Sequence, residues 1–316
     1  MSERRTIVVA TPVPPAVIEH LRAHADVVDV SAQPPASWPG AVASATGLLV
    51  SSGTPVDAAL LAAARELRIV ATASVGIDNI ALDVLRARGI ALTNSRGSLN
   101  AAVADLTYGL VIMAQRELPQ NIAWVRSGRW VRENPPYSHD LAGATLGILG
   151  FGAIGLEVAK RAQLSDMRVI YHNRHPRADD AQTGAAYCSF AELLGRADVL
   201  VVLVPLGPQT RGLFDAAAFA AMKKGAVFVN VARGAICDTA ALLGALESGH
   251  LRGAALDVTD PEPLPPDHPL LARDDVVVVP HVGSATVETR TRMALLAADN
   301  LIAFLHGEPL LRPVEL

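Results

Sequence analysis

The strongest constraint on this chain is a series of short, apolar, β-branched runs that alternate with Ala/Leu-rich helical stretches almost from end to end. The runs read as strands at Thr6–Ala10, Gly47–Val50, Ile69–Ala73, Thr145–Leu149, Arg168–His172, Val199–Val204, Ala226–Asn230, Gly253–Asp257 and Val276–Val279. Helical spacing falls between them, at Val56–Arg65, Asn100–Gln115, Ile154–Gln163, Ala216–Met222, Thr239–Ser248 and Val287–His306. A run that is apolar throughout, such as Val199–Val204, has no wet face and belongs in a sheet covered on both sides. Strand–helix alternation of that kind predicts α/β architecture with parallel, doubly wound, Rossmann-like sheets.

At 316 residues the chain exceeds what one core usually supports, so two such domains are expected. The pattern breaks after about Ser98, where a long helix leads to a second strand–helix series from Thr145. Periodicity alone leaves open which unit the last helix, with Met293, Leu296, Ile302 and Leu305 on one face, packs against. Half of the residues are hydrophobic (51%) and 18% are charged, a composition of well-buried globular proteins rather than disordered ones. The net charge of -4 comes without a basic stripe, which argues against nucleic acid as a partner. Cys188 and Cys237 lie in apolar segments and read as small buried hydrophobes. Only four apolar residues follow the charges at the N-terminus, and no apolar run approaches the 18 or so residues of a membrane span. A cytoplasmic protein without a membrane partner is therefore expected.

Leu146–Gly155 reads LGILGFGAIG, and Gly150, Gly152 and Gly155 form G-x-G-x-x-G directly after a strand and at the start of a helix. In a dinucleotide site the first glycine makes the tight turn and the second admits the pyrophosphate. The third lets helix and strand pack closely, and the helix N-terminus faces the anion. An NAD site then expects Asp or Glu about 20 residues on, accepting from the ribose 2′-hydroxyl. Here the next strand ends Tyr171-His172-Asn173-Arg174-His175, with no carboxylate before Asp179. A carboxylate 4 Å from a 2′-phosphate would cost up to about 4 kcal/mol at an effective dielectric of 20. Asn173 removes that repulsion, and charge-assisted bonds from Arg174 are worth about 1.5–3 kcal/mol. The expected cofactor is NADP(H) in preference to NAD(H); the alternative is that Arg174 and His175 form a solvated turn.

Three strand ends carry a set suited to reducing a 2-keto acid, a reaction that needs a cation for the carboxylate, an acid for the carbonyl oxygen and a group that orients the acid. Arg233 lies in Asn230-Val231-Ala232-Arg233-Gly234, at the end of an apolar strand, and its planar guanidinium suits bidentate binding of a carboxylate. His281 follows Val279-Pro280, and Glu262 lies just past Asp257. A carboxylate on one imidazole nitrogen fixes the ring and leaves the other nitrogen to donate. Singly, each has a structural use, and spacing does not show that the three converge.

The stretches SVGIDNI (Ser74–Ile80), VADLTYGL (Val103–Leu110), LGILGFGAIG, NVARGAICD (Asn230–Asp238), AALDVTDPEPL (Ala254–Leu264) and PHVGSATVETR (Pro280–Arg290) together resemble the D-isomer-specific 2-hydroxyacid dehydrogenases over essentially the whole chain. The ending of the last stretch and the Asn173-Arg174 pair look most like the glyoxylate/hydroxypyruvate reductase branch. By position, the resemblance implies catalytic Arg233, Glu262 and His281. It implies substrate contacts from Val75, Gly76, Arg233, His281 and Ser284. For the cofactor it implies Thr107, Gly150, Gly152, Ala153, Ile154, Gly155, Asn173, Arg174, Val204 and Pro205, with Val231, Ala232, Asp257, His281 and Gly283. It further implies a substrate domain of residues 1–98 plus 286–316, a dinucleotide domain of 99–285, an active site in the cleft between them, and a homodimer. The expected activity is NADPH-dependent reduction of small 2-keto acids, glyoxylate or hydroxypyruvate. Alternatives are reduction of pyruvate, 2-ketogluconate or longer keto acids, and a dinucleotide-sensing module with little turnover.

The chain departs from the family pattern at Asn173, at Arg96 where Pro is common, at Ser165-Asp166 where Gly is common, at Thr259 for Phe and at Cys237 for Val. Arg96 reads as a cation near a hinge or as an influence on substrate or cofactor choice. His20 and His24 have a spacing compatible with metal ligation but no third ligand nearby, so no metal is expected. His172 and His175 flank the discriminating turn, where stacking on adenine is one use. Trp124 and Trp130 belong to an amphipathic stretch read as interface or core, with a reach toward a partner's active site as the alternative.

Overall fold

A computed structural model describes residues 5–316. The chain divides into two compact units, one made of the residues up to Leu99 with Ser284–Leu316, the other of Asn100–Gly283.

Among the described residues the first unit holds five parallel strands: β1 (Thr6–Val9), β2 (Asp26–Asp29), β3 (Ala45–Val50), β4 (Ile69–Thr72) and β5 (Ala91–Thr93), in the order β2-β1-β3-β4-β5. This is the doubly wound order of flavodoxin-like sheets. The terminal helix, Val287–His306, belongs to this unit and packs on β3 and β4. Gly47 of β3 makes room for it: a Cβ there would lie 2.9 Å from Leu301 Cδ2 and 2.5 Å from Ile7 Cδ1. Beyond the helix, Asn300 Oδ1 accepts the N–H groups of Leu311 and Arg312, and Pro313 bridges Thr93 of β5.

The second unit holds seven parallel strands: β6 (Thr145–Leu149), β7 (Arg168–His172), β8 (Ala186–Tyr187), β9 (Val199–Val202), β10 (Ala226–Asn230), β11 (Leu251–Leu256) and β12 (Val276–Val278). Their order, β12-β11-β10-β9-β6-β7-β8, reverses direction between β6 and β9, the switch point where such sheets bind ligands. Central strands β9 and β10 are buried at every residue. On one face Phe214, Phe219 and Phe228 meet with ring centroids 4.9–5.8 Å apart.

Three strands carry too little sequence signal to be read. β2 is an edge strand, Asp26-Val27-Val28-Asp29, with charge at both ends, and β5 and β8 have three and two residues. Helix starts are set by side chains that periodicity does not weigh. Asp57, Asp215 and Asp238 each accept a first-turn N–H.

Leu301 is fully buried. Truncation to Ala should cost about 2–5 kcal/mol of the first unit's stability, measured by denaturant unfolding. A loss under 0.5 kcal/mol would mean that the terminal helix is not part of that core.

Candidate functional site

At the carboxyl end of β6 the chain turns through Gly150, whose φ of 98° a side chain rarely adopts. A Cβ at Gly150 would lie 2.7 Å from the Leu203 carbonyl carbon, and one at Gly155 would lie 2.8 Å from Gly150 O. These two glycines are demanded by the fold itself. Gly152 is different: a Cβ there would meet no protein atom within 4 Å. It caps the Ala153–Gln163 helix without a side-chain cap, so first-turn N–H groups face outward from an 11-residue helix. The turn therefore fits a dinucleotide pyrophosphate, with the second glycine kept free on the ligand side. Val204 and Pro205 follow β9 just beside it, while Thr107 is fully buried with its hydroxyl donating to Val103 O at 2.6 Å. A cavity of about 800 Å³ opens elsewhere, lined by Thr145, Met167, Arg168, Arg196 and Lys223 among others. Thr145 and Arg168 begin β6 and β7, so it lies at the amino ends of the strands, the wrong edge for a ligand of an open sheet.

The end of β7 is tied to this turn. Asn173 Oδ1 accepts from Phe151 N at 2.7 Å, and its Nδ2 donates to Phe151 O at 3.3 Å. Arg174 and His175 are exposed. His172 donates from Nδ1 to Cys188 O at 2.9 Å and stacks on Tyr187, which commits it to the fold. A cation that the sequence reading passed over, Arg177, folds back to donate from Nη1 to Phe151 O at 3.3 Å.

The catalytic candidates sit past the carboxyl ends of adjacent strands β10, β11 and β12. Arg233 lies in extended backbone after β10, its Nη1 donating to Ala232 O. Asn230, almost fully buried, braces that turn: Nδ2 donates to Arg233 O at 2.9 Å and Oδ1 accepts from Ala232 N at 3.0 Å. Val231 and Ala232 are buried beside it. Gly234 passes so close to the next loop that a Cβ would lie 1.9 Å from Thr259 O. That loop carries Glu262, whose Oε2 accepts from Thr259 N at 3.4 Å.

His281 and Glu262 are joined directly: Nδ1 and Oε1 are 2.7 Å apart, with side chains 35% and 41% exposed. A carboxylate only accepts, so Nδ1 carries the proton and Nε2 is the nitrogen left to exchange one. His281 has φ 53°, a left-handed conformation costing about 1–3 kcal/mol outside glycine. Its N–H bonds Asp257 O at 2.8 Å and Val279 O at 3.0 Å. The Asp257 carboxylate then accepts the next two N–H groups, Val282 at 2.6 Å and Gly283 at 3.0 Å. Burial pushes the Asp257 carboxyl above the usual range, against the pull of those two N–H groups.

Val75, Gly76 and Ser284 belong to the first unit. There three successive carbonyls are occupied: Ser74 O by Ser95 N, Val75 O by the Asn94 amide and Gly76 O by the Ser74 hydroxyl. The N–H groups of Val75 and Gly76 bond no described residue. Elsewhere, His20 bonds Asp299 at 2.8 Å and His24 bonds His306 at 3.1 Å. Among the described residues no group of three or more His, Cys, Asp or Glu is placed to hold a metal ion, and no helix is long and apolar enough to cross a membrane. The Arg129 guanidinium carbon lies 3.5 Å from the centroid of the Trp124 ring, and Trp130 is 64% exposed. Arg96 is exposed, and its backbone carbonyl accepts from Arg312. Cys188 and Cys237 are buried and free, and burial raises both thiols.

Residues 108–283 match the family profile described as "D-isomer specific 2-hydroxyacid dehydrogenase, NAD binding domain". A glyoxylate reductase of Aeropyrum pernix is 44% identical over 260 residues, 80% of this chain and 78% of that protein. Glyoxylate/hydroxypyruvate reductase B of Escherichia fergusonii is 40% identical over 310 residues, 96% and 95% of the two chains. Among solved structures, an NADPH-dependent glyoxylate/hydroxypyruvate reductase from Sinorhizobium meliloti, in complex with NADP and malonate, aligns with a TM-score of 0.89 at 36% identity. The alignment covers 99% of this chain and 97% of that one. A fingerprint turn at the switch point, a His–carboxylate pair past β11 and β12 and relatives that run the length of the chain lead to one conclusion: this chain is a member of the D-isomer specific 2-hydroxyacid dehydrogenase family, with an NAD(P)-binding domain of that type.

Proposed function

We propose that the protein reduces small 2-keto acids, glyoxylate and hydroxypyruvate, to 2-hydroxy acids and prefers NADPH to NADH. The observation that carries the reading is the 2.7 Å pair of His281 Nδ1 and Glu262 Oε1, on the loops after the two strands next to the one that carries Arg233. Arg233 binds the substrate carboxylate and polarises the neighbouring carbonyl. His281, as imidazolium, donates its Nε2 proton to the carbonyl oxygen as that oxygen gains charge. Glu262 holds the ring in one tautomer and balances its charge while the proton is in place. The Val75–Gly76 backbone and Ser284 are the first unit's contributions to substrate binding. Gly150, Gly152, Ala153, Ile154 and Gly155 hold the pyrophosphate, Asn173 and Arg174 face the adenosine ribose, and Val204, Pro205, Val231, Ala232, Asp257 and Gly283 line the path to the nicotinamide. Bound there, the reduced nicotinamide supplies the hydride. Support for NADPH comes from Asn173, which puts a neutral amide where a carboxylate would repel a 2′-phosphate, and from the exposed Arg174 beside it.

Initial rates of NADPH oxidation with glyoxylate, hydroxypyruvate, pyruvate and 2-ketogluconate, repeated with NADH, test the reading. Fast oxidation of NADPH by the two small acids, with NADH at least tenfold poorer in kcat/KM, is expected. Nucleotide binding without turnover on any acid would replace the enzyme reading with a sensing one. His281→Ala should cut kcat by about 10²–10⁴-fold while NADPH still binds.

Gly234→Ala reaches the same centre by another route. Its new Cβ must displace Thr259, and a shift near 1 Å in the Glu262 loop should lower kcat by about 10²-fold. Activity within threefold of wild type would show that the loop contact does not position Glu262.

We also propose a homodimer. Leu118, Ile122, Val125, Trp130, Val131 and Tyr137 are all large apolar residues exposed on one segment, and a concentration of that kind marks a surface that another chain covers. A second copy, as in the symmetric dimers commonest among soluble oligomers, is the simplest cover. Sedimentation should give a dimer for wild type and a monomer for a Trp130→Lys/Val131→Asp double variant; a monomeric wild type would refute this assignment.

A further inference from the structure

The loop that carries Glu262, Thr259-Asp260-Pro261-Glu262-Pro263, has few means of holding itself. Pro261 and Pro263 have no N–H, and Asp260 to Pro263 are all exposed, so backbone pairing and burial contribute little. Two threonine hydroxyls take over that task. Thr239 Oγ1 donates to Asp260 O at 2.8 Å, and Thr259 Oγ1 donates to Pro261 O at 2.9 Å. These are the two carbonyls immediately ahead of Glu262. Thr239 is a firm anchor, because it opens the Thr239–Glu247 helix, whose Asp238 cap accepts from Ala240 N at 2.9 Å and Ala241 N at 3.0 Å. Thr259 is confined as well: its carbonyl oxygen lies 1.9 Å from where a Cβ on Gly234 would sit. It reaches Glu262 a second time through its N–H, 3.4 Å from Oε2. With Oε1 on His281 Nδ1, both oxygens of the carboxylate then have a donor.

We propose that Thr239 and Thr259 are positioning residues, whose hydroxyls keep the Glu262 carboxylate on His281 Nδ1. The consequence for rate rests on the reading of His281 as proton donor, whereas the hold itself does not. A carboxylate free to leave Nδ1 lets the neutral ring carry its proton on Nε2 instead, the nitrogen that has to face the substrate. Each hydroxyl fixes a peptide unit ahead of Glu262, so losing one frees the backbone that presents the carboxylate. About 1 Å of misplacement costs about 10²-fold in rate, so half of that is enough for about tenfold. Stability should change little, because the loop is exposed and water can replace either hydroxyl on its carbonyl.

Thr239→Val and Thr259→Val keep the branched shape without the hydroxyl, while Thr239→Ser and Thr259→Ser keep the hydroxyl. Rates of NADPH oxidation with hydroxypyruvate, NADPH binding, and nitrogen-15 spectra of the histidine-labelled full chain separate the possibilities. Each valine variant should lower kcat about tenfold, with KM and NADPH affinity within twofold of wild type. Each serine variant should return kcat to within threefold of wild type. In the spectra, the neutral His281 ring should keep its proton on Nδ1 in wild type and in both serine variants, and divide between the two tautomers in Thr259→Val. A Thr259→Val spectrum identical to that of wild type, or valine variants with kcat within twofold of wild type, would overturn the proposal. Losses that serine does not restore, or that fall equally on kcat and NADPH affinity, would overturn it too, since they mark a general fault in the fold. A wild type without turnover would remove the reduction reading, and the spectra alone would then decide whether the hydroxyls hold Glu262.

Discussion

Asp257 directly follows β11 with its carboxylate buried, and both of its oxygens are taken by N–H groups of the loop that leaves β12, Val282 and Gly283. Its own carbonyl accepts the N–H of His281. One residue just past β11 therefore holds three successive N–H groups of the chain leaving β12. The left-handed backbone of His281 persists because this set of bonds over-determines it. Without that clamp, the imidazole would have no reason to meet Glu262, which stands on the loop that leaves β11 itself. Hydrogen bonds to a charged acceptor are worth about 1.5–3 kcal/mol each, enough to offset a strained residue of about 1–3 kcal/mol.

The neighbouring strand end is fitted to this arrangement by shape rather than by charge. Gly234 lets the loop after β10 lie against Thr259, and Asn230 closes the turn that presents Arg233. The three candidate catalytic side chains are carried by three loops that leave adjacent parallel strands, each loop braced by a buried polar side chain or by a close backbone contact. At the other side of the switch point the same logic builds the fingerprint turn. There Gly150 and Gly155 are required by the protein, and Gly152 leaves its own side open to a ligand.

Much of this was legible in the sequence for a simple physical reason: a strand covered on both faces has to be apolar throughout, and β9 and β10 show it. The fingerprint was legible because its glycines answer to fixed close approaches. Arg233, Glu262 and His281 could be named from their positions at strand ends, but not their meeting. Glu262 and His281 are 19 residues apart, and only the parallel pairing of β11 with β12 brings their loops together. Asn230 and Gly234 carried no signal as braces, because a polar residue and a glycine at a strand end have many uses. Arg177 was hidden by its neighbours: in Arg174-His175-Pro176-Arg177 the first arginine is the obvious cation, and only the fold-back onto Phe151 distinguishes the second. β2, β5 and β8 were missed because short edge strands bury too little to leave a pattern.

The pairing of His281 Nδ1 with Glu262 is the centre of the account, and nitrogen-15 NMR of histidine-labelled protein tests it most directly, with His281→Gln used to assign the signal. The account predicts that the neutral ring keeps its proton on Nδ1 and leaves Nε2 bare. A neutral ring protonated on Nε2, with Nδ1 bare, would mean that the carboxylate does not hold this nitrogen and would contradict the arrangement on which the proposed proton donation rests.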